Sequence, residues 1–137
     1  MQVREVMTPN VEFVQSDDSL SQAARKMENL DVGALPVATG GELVGILTDR
    51  DIVIRAVAKG LDPEKHKVME AVSEGVVTCE EGEDVKTVAD MMEEKQIRRV
   101  VVRDRNAKVA GIVSLGDLAL RMHREKSGEV LQEVSKS

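Results

Sequence analysis

The chain is expected to adopt a mixed α/β (α+β) fold built from two copies of one β-α-β-β-α unit. Three observations carry that expectation. The stretch "GILTDRDI" at 45–52 recurs as "GIVSLGDL" at 111–118, so that Gly45, Ile46, Thr48 and Asp51 return as Gly111, Ile112, Ser114 and Asp117. Apolar residues at helical spacing precede each stretch, as Leu20, Ala23, Ala24 and Met27 and again as Val85, Val88, Ala89 and Met92. Between each helix and its repeated stretch lie two β-branched runs separated by turn residues, a hairpin pattern.

The elements follow in chain order. "VMTPNVEFV" (6–14) lies over "AVSEGVVTC" (71–79) and supplies a short lead-in strand to each copy, pairing Val6 with Ala71 and Val11 with Val76. Asp18 or Ser19 can cap the first helix; Glu83 or Asp84 can support the start of its counterpart. The hairpins run from "LPVA" to "LVGIL" through Gly40-Gly41, and from "RRVVV" to "VAGIV" through Arg105-Asn106. The offset between copies changes from 65 to 66 across this hairpin, so the second copy holds one extra residue at the tip, where insertions are cheap. A further helix starts at Thr48 or Ser114; in the first copy it is expected to stop at Gly60, a good residue beyond a helix end. The charged, Pro-containing "LDPEKHK" links the copies. The expected division is 1–62 and 63–126 for the repeats and 127–137 for a tail, whose Val130, Leu131 and Val134 form either a short amphipathic contact or a frayed end.

At roughly 60 residues, neither copy has enough chain to bury its sheet alone. The sheets are therefore expected to pack face to face as a pseudo-twofold sandwich, with Thr48/Asp51 and Ser114/Asp117 bordering one crevice, the usual setting of a small-molecule site.

Composition narrows the function. Apolar residues make up 42% of the 137, enough for a real core. No apolar run approaches the roughly 20 residues that cross a bilayer, and "MQVREVMTPN" lacks the cationic-then-apolar pattern of a secretory signal. Cys79 is the single cysteine, so no internal disulfide can form, and it reads as a small buried hydrophobe; a reducing cytoplasm is the expected compartment. A net charge of −6 disfavours nucleic acid, and Phe13 as the lone aromatic leaves no base-stacking platform. A bound purine would have to lie between aliphatic side chains. His66 and His123 fall in a charged linker and a terminal helix, Glu80-Glu81 and Glu93-Glu94 read as solvated faces, and no phosphate loop, metal set or nucleophile elbow is present. Neither catalysis nor a required cofactor or metal is expected.

The two T/S-x-x-D corners have a local reading, a Thr or Ser cap closed by an Asp three residues on. They also have a functional one, because a carboxylate has more acceptor sites than one N–H uses. Arg98 and Arg99 open a strand, where neighbouring side chains point to opposite faces, so one of them can offer a donor fork to phosphate; the alternative is a solvated basic pair beside Asp90, Glu93 and Glu94. Gly33 and Ala34 stand in these places in the first copy.

The layout, with G-x-x-[T/S]-x-x-D closing each copy, resembles the tandem CBS-domain pair, or Bateman module, over nearly the whole chain from about Val3 to about Met122. "VREVMTPNVEFVQSDDSLSQAARKM", "VGALPVATGGELVGILTDRDI" and "IRRVVVRDRNAKVAGIVSLGDL" carry the likeness, and "VGALPV…LTDRDIVIRAVAKGLDP" is similar to small stand-alone bacterial proteins of the hypoxic response protein type. The resemblance implies a regulatory module that binds an adenosyl nucleotide (AMP, ADP, ATP or S-adenosylmethionine) between its repeats and signals to a separate effector protein. It implies Asp51 and Asp117 as ribose acceptors, Thr48 and Ser114 as hydroxyl partners, and Arg98 and Arg99 at the phosphate. Thr8 and Val11, with Val76 and Val77 in the second copy, fall where the family's lead-in contacts the base; Ile97, Val32 and Pro36 are candidate walls of the purine slots. The family also implies a disc-like homodimer through "DIVIRAVA" and "DLALRMH", which without ligand would be an interaction scaffold.

Overall fold

The computed structural model describes residues 1–73 and 75–124; the expected tail contact at 127–137 lies outside them. In chain order the elements are a 3-10 turn at Val3–Glu5, β1 (Thr8–Pro9), β2 (Val14–Gln15), α1 (Leu20–Leu30), β3 (Ala34–Thr39), β4 (Glu42–Thr48) and α2 (Asp49–Ile52), which runs on as a π-helical stretch Val53–Val57. A second 3-10 turn at Val68–Glu70, then β5 (Thr78–Glu80), α3 (Val85–Lys95), β6 (Arg99–Arg103), β7 (Val109–Ser114) and α4 (115–124) complete the order. The mixed fold and the doubled β-α-β-β-α order are as expected. Among the described residues, no helix is long and apolar enough to cross a membrane.

Two compact units form, and they are not the sequential halves. One is Val11–Val76; the other joins Met1–Asn10 to the chain from Val77 on. The first holds the sheet β2-β3-β4, with β2 parallel and β4 antiparallel to β3. Its core gathers Leu20, Ala23 and Met27 of α1, Leu35, Val37 and Leu47 of the hairpin, and Val68, Ala71 and Val72 from beyond the linker. The second holds the sheet β1-β7-β6-β5, over which α3 buries Val85, Val88 and Met92 against Val100, Val102, Val113 and Leu118, with Val3 of the lead-in fully enclosed. Burying each such Val or Leu contributes about 1.5–3 kcal/mol.

Local chemistry explains the boundaries. Ser19 caps α1: its hydroxyl accepts from Gln22 N at 3.0 Å and its own N–H donates to Gln22 Oε1 at 2.8 Å. Asp84 caps α3 through Lys86 N at 3.2 Å. The first hairpin turns on two residues, Gly40 and Gly41, both with positive φ (58° and 84°), as a tight turn matched to strand twist requires. The second closes over Arg105, Asn106 and Ala107, with Asp104 N donating to the Lys108 carbonyl at 2.8 Å, so the extra residue sits at the tip as expected. The helix after Thr48 ends at Gly60 (φ 70°), where Leu61 N reaches back to the Ala56 carbonyl at 3.0 Å. It is α-helical for only four residues before widening, with Ala58 N bonded to the Val53 carbonyl five residues back at 2.9 Å.

Candidate functional site

Each unit carries one hydroxyl–carboxylate corner where its sheet hands over to a helix. At the first, Asp51 N donates to Thr48 Oγ1 at 3.1 Å and Thr48 N donates to Asp51 Oδ2 at 2.9 Å, a closed capping box that is partly buried. Asp51 Oδ1 has no partner among the described residues. At the second, Asp117 N donates to Ser114 Oγ at 3.0 Å and the return bond is missing, so both oxygens of the exposed Asp117 carboxylate lack a partner among the described residues. The cap reading therefore holds at both corners and leaves acceptor capacity at each.

The strand beside each corner starts in the same register. Ala34 lies opposite Thr48 and Arg99 opposite Ser114, and directly opposed residues of an antiparallel pair share a face. Arg99 is thus the arginine on the Ser114 face; Arg98 is exposed and its carbonyl accepts from Leu115 N at 2.8 Å. Thr8 of β1 flanks the other edge of β7, opposite Ile112 and two residues before Ser114. The Val77 carbonyl accepts from Val101 N at 3.3 Å on the β6 side. One unit therefore holds Thr8, Val77, Ile97, Arg98, Arg99, Ser114 and Asp117, and the other Val11, Pro36, Thr48, Asp51 and Val76. Pro36 is buried in its strand opposite Ile46, while Ile97 and Val32 pack against the cores of their own units.

Two features escaped the sequence reading. Arg121 and Arg124, four and seven residues after Asp117 on α4, join Val6, Asp117 and Leu120 around a recess of about 160 Å³. Helical spacing from Asp117 was signal enough to find them. The motif glycines are visible in the repeat, and what escaped is the reason for them. A Cβ on Gly111 would lie 2.5 Å from the Thr8 carbonyl and 2.8 Å from Met7 Sδ, and one on Gly45 would lie 2.7 Å from Val72 Cγ2 and 3.1 Å from the Ser73 carbonyl. Each glycine opens the space through which a lead-in passes beside its corner.

A larger cavity of about 410 Å³ lies at the other end of the second sheet, lined by Thr78, Cys79, Glu80, Glu83, Arg103, Asp104, Arg105 and Ala107. It contains none of the corner residues, and Arg103 is already committed to the Ala107 carbonyl at 2.6 Å. Cys79 beside it is a core thiol: burial, helped by the Glu83 charge, pushes its pKa up to about 12. His66 Nδ1 meets Glu70 Oε1 at 2.9 Å, and that hydrogen bond, with one from Lys67 N, holds the Glu70 carboxyl below its usual range.

Comparison with known proteins agrees with this architecture. The chain is 38% identical over 136 residues to the YlbB protein of Bacillus subtilis (strain 168), covering 97% of this chain and 90% of that one. It is 36% identical over 117 residues to hypoxic response protein 1 of Mycobacterium tuberculosis (strain H37Rv), covering 85% and 81%. Among solved structures, hypoxic response protein I with two coordinated zinc ions matches with a TM-score of 0.71 at 35% identity, over 87% of this chain and 97% of that one. The zinc is that protein's: among the described residues here, no three His, Cys, Asp or Glu side chains stand together to hold a metal. The CBS domain model matches residues 3–57 and again 68–124, and with both corners built alike the chain belongs to the CBS-domain family as a tandem pair, a regulatory or ligand-binding module.

Proposed function

We propose that the chain is a non-catalytic, cytoplasmic regulatory module that binds adenosine-containing ligands (AMP, ADP, ATP or S-adenosylmethionine) at its two corners and signals to a separate effector protein. The observation that carries this reading is the doubled corner: a hydroxyl and a carboxylate with open acceptor sites, set beside a strand edge and a lead-in, in both units. A fixed carboxylate accepts both ribose hydroxyls in charge-assisted bonds. Thr48 and Ser114 supply the hydroxyl contacts, Arg99 on the Ser114 face and Arg98 beside it the phosphate donors, and Thr8, Val11, Pro36, Val76, Val77 and Ile97 the surroundings of the base. Binding regulates only by favouring one of two states of the module or its partner. Titration calorimetry with AMP, ATP and S-adenosylmethionine tests the reading, with heat expected for at least one of them and a loss on Asp51→Ala or Asp117→Ala. Absence of heat with all of them in the unmutated protein refutes it.

One observation favours a second reading. Val53, Ile54 and Val57 are 55%, 46% and 61% exposed on the helix that follows Thr48, an apolar strip suited to a second copy of the chain. A ligand-free homodimeric scaffold would show a stable dimer by light scattering and a melting temperature that no nucleotide shifts.

A further inference from the structure

The two corners are built alike in backbone and opposite in charge. Gly33 and Arg98 are equivalent by hydrogen bonding: the Gly33 carbonyl accepts from Asp49 N at 3.0 Å, and the Arg98 carbonyl accepts from Leu115 N at 2.8 Å. The groups occupying the space beside these two backbones differ. A Cβ on Gly33 would lie 3.1 Å from Asp49 Oδ2 and 3.6 Å from Asp49 Oδ1, so a carboxylate lies along the direction in which the second unit starts an arginine side chain. The next helical position repeats the contrast. Arg121 borders the recess at Asp117, whereas its counterpart Arg55 is turned to the Ala71 carbonyl at 3.1 Å. The first corner carries Asp49 and Asp51 with Arg50 between them; the second has Arg99 opposite Ser114 and Arg121 at the recess against Asp117, with Arg98 adjoining Arg99.

We propose that the corners divide the ligands by charge: the Ser114/Asp117 corner takes a phosphate-bearing adenosyl ligand, and the Thr48/Asp51 corner takes a phosphate-free one, neutral or cationic, with Asp49 as the residue that turns phosphate away. A carboxylate a few ångströms from a phosphate is worth about 1 kcal/mol of repulsion per pair of charges in bulk water and more where water is displaced, and a guanidinium in the same place is attractive and bidentate. The shared hydroxyl–carboxylate pair serves ribose at both corners, so Asp49 and the arginines select only the group attached to the ribose. This inference rests on the adenosyl reading above.

The test uses the full-length protein with backbone amide shifts of Asp51 and Asp117 as separate reporters, titrated with AMP, adenosine and S-adenosylmethionine. AMP is expected to shift Asp117 and leave Asp51 unmoved over the same range; adenosine is expected to shift both, and S-adenosylmethionine to favour Asp51. Asp49→Asn should tighten AMP at the first corner by about fivefold or more with adenosine affinity there unchanged. Arg98→Ala with Arg99→Ala should abolish the AMP shift at Asp117 while the adenosine shift survives. Equal AMP affinity at the two corners, or an Asp49→Asn protein whose corners differ as before, overturns the division and leaves the adenosyl reading standing. If neither AMP, adenosine nor S-adenosylmethionine shifts either reporter, the adenosyl reading falls and takes this inference with it.

Discussion

Gly45 and Gly111, set beside Gly40 and Gly41, show how one residue type serves two purposes at different places in this chain. Gly40 and Gly41 are glycines because of backbone angle, while Gly45 and Gly111 lie in ordinary extended strand and are glycines because another segment passes too close for a Cβ. The two close approaches differ in what blocks them. At Gly111 the nearest atom is a backbone carbonyl at 2.5 Å, fixed in the β1–β7 ladder; at Gly45 it is a methyl of the Val72 side chain at 2.7 Å, with the nearest backbone atom, the Ser73 carbonyl, further off at 3.1 Å. Gly111→Ala is therefore expected to cost about 2–3 kcal/mol and Gly45→Ala about 1 kcal/mol, the range of overpacking strain, measured by urea unfolding at constant m-value. Equal costs would mean that the Thr8 strand yields as readily as a side chain. The sequence showed these glycines as part of a recurring motif, and it could not show why. Their constraint is a contact with a segment far away in the chain, which no periodicity or local propensity encodes. The position of Asp49, proposed above as the residue that turns phosphate away, is hidden from the sequence for a related reason. In sequence Asp49 is one charge among several, and only the fold lays its carboxylate over Gly33, 3.1 Å from where a Cβ would stand.

At the scale of elements, the long periodic helices were the most legible, and their N-caps fell at Ser19 and Asp84 as indicated. Their C-terminal ends, Asp31 and Gln96 in the left-handed region, had no glycine to announce them. The first turn of α1 shows what composition could not reveal. Its four N–H groups all have partners: Leu20 N donates to the His66 carbonyl at 2.9 Å, Ser21 N to the Pro63 carbonyl at 3.0 Å, Gln22 N to Ser19 Oγ at 3.0 Å and Ala23 N to the Ser19 carbonyl at 3.2 Å. Two of these acceptors belong to the linker, which thus serves as part of the cap. Ser19→Ala removes one acceptor of the four and leaves the linker in place, so its cost is expected at the low end of the cap range, about 0.5–1 kcal/mol, by chemical denaturation. A cost near 2 kcal/mol would show that the linker detaches with the hydroxyl. The π-helical stretch Val53–Val57 had no such signal. "VIRAV" reads equally well as continued α-helix, and the widening accompanies a tertiary bond, from Arg55 Nη1 to the Ala71 carbonyl at 3.1 Å.

At the scale of the molecule, the repeats seen in the sequence and the compact units seen in space are different partitions of the same chain. The family match tracks the sequence, at 3–57 and 68–124, whereas the cores exchange their lead-ins. Val3 is fully buried among Val85, Val88 and Met92, and Val68 is fully buried among Leu20, Ala23 and Met27. The backbone repeats the exchange: the Met1 carbonyl accepts from Val85 N at 3.0 Å as the His66 carbonyl accepts from Leu20 N. A repeat read along the chain aligns Val3 with Val68 and assigns each to its own copy, because sequence similarity records ancestry of position and carries no information on which core a segment enters. The consequence can be measured. Val3→Ala and Val68→Ala should each cost roughly 2 kcal/mol through lost burial and the cavity left behind. Their effects on amide hydrogen exchange should separate: Val3→Ala loosens α3, β6 and β7, and Val68→Ala loosens α1, β3 and β4. Were Val3→Ala instead to loosen α1 and β3, the lead-in would belong to the repeat that comes after it in sequence, and the corner beside Gly111 would lose the strand that flanks it.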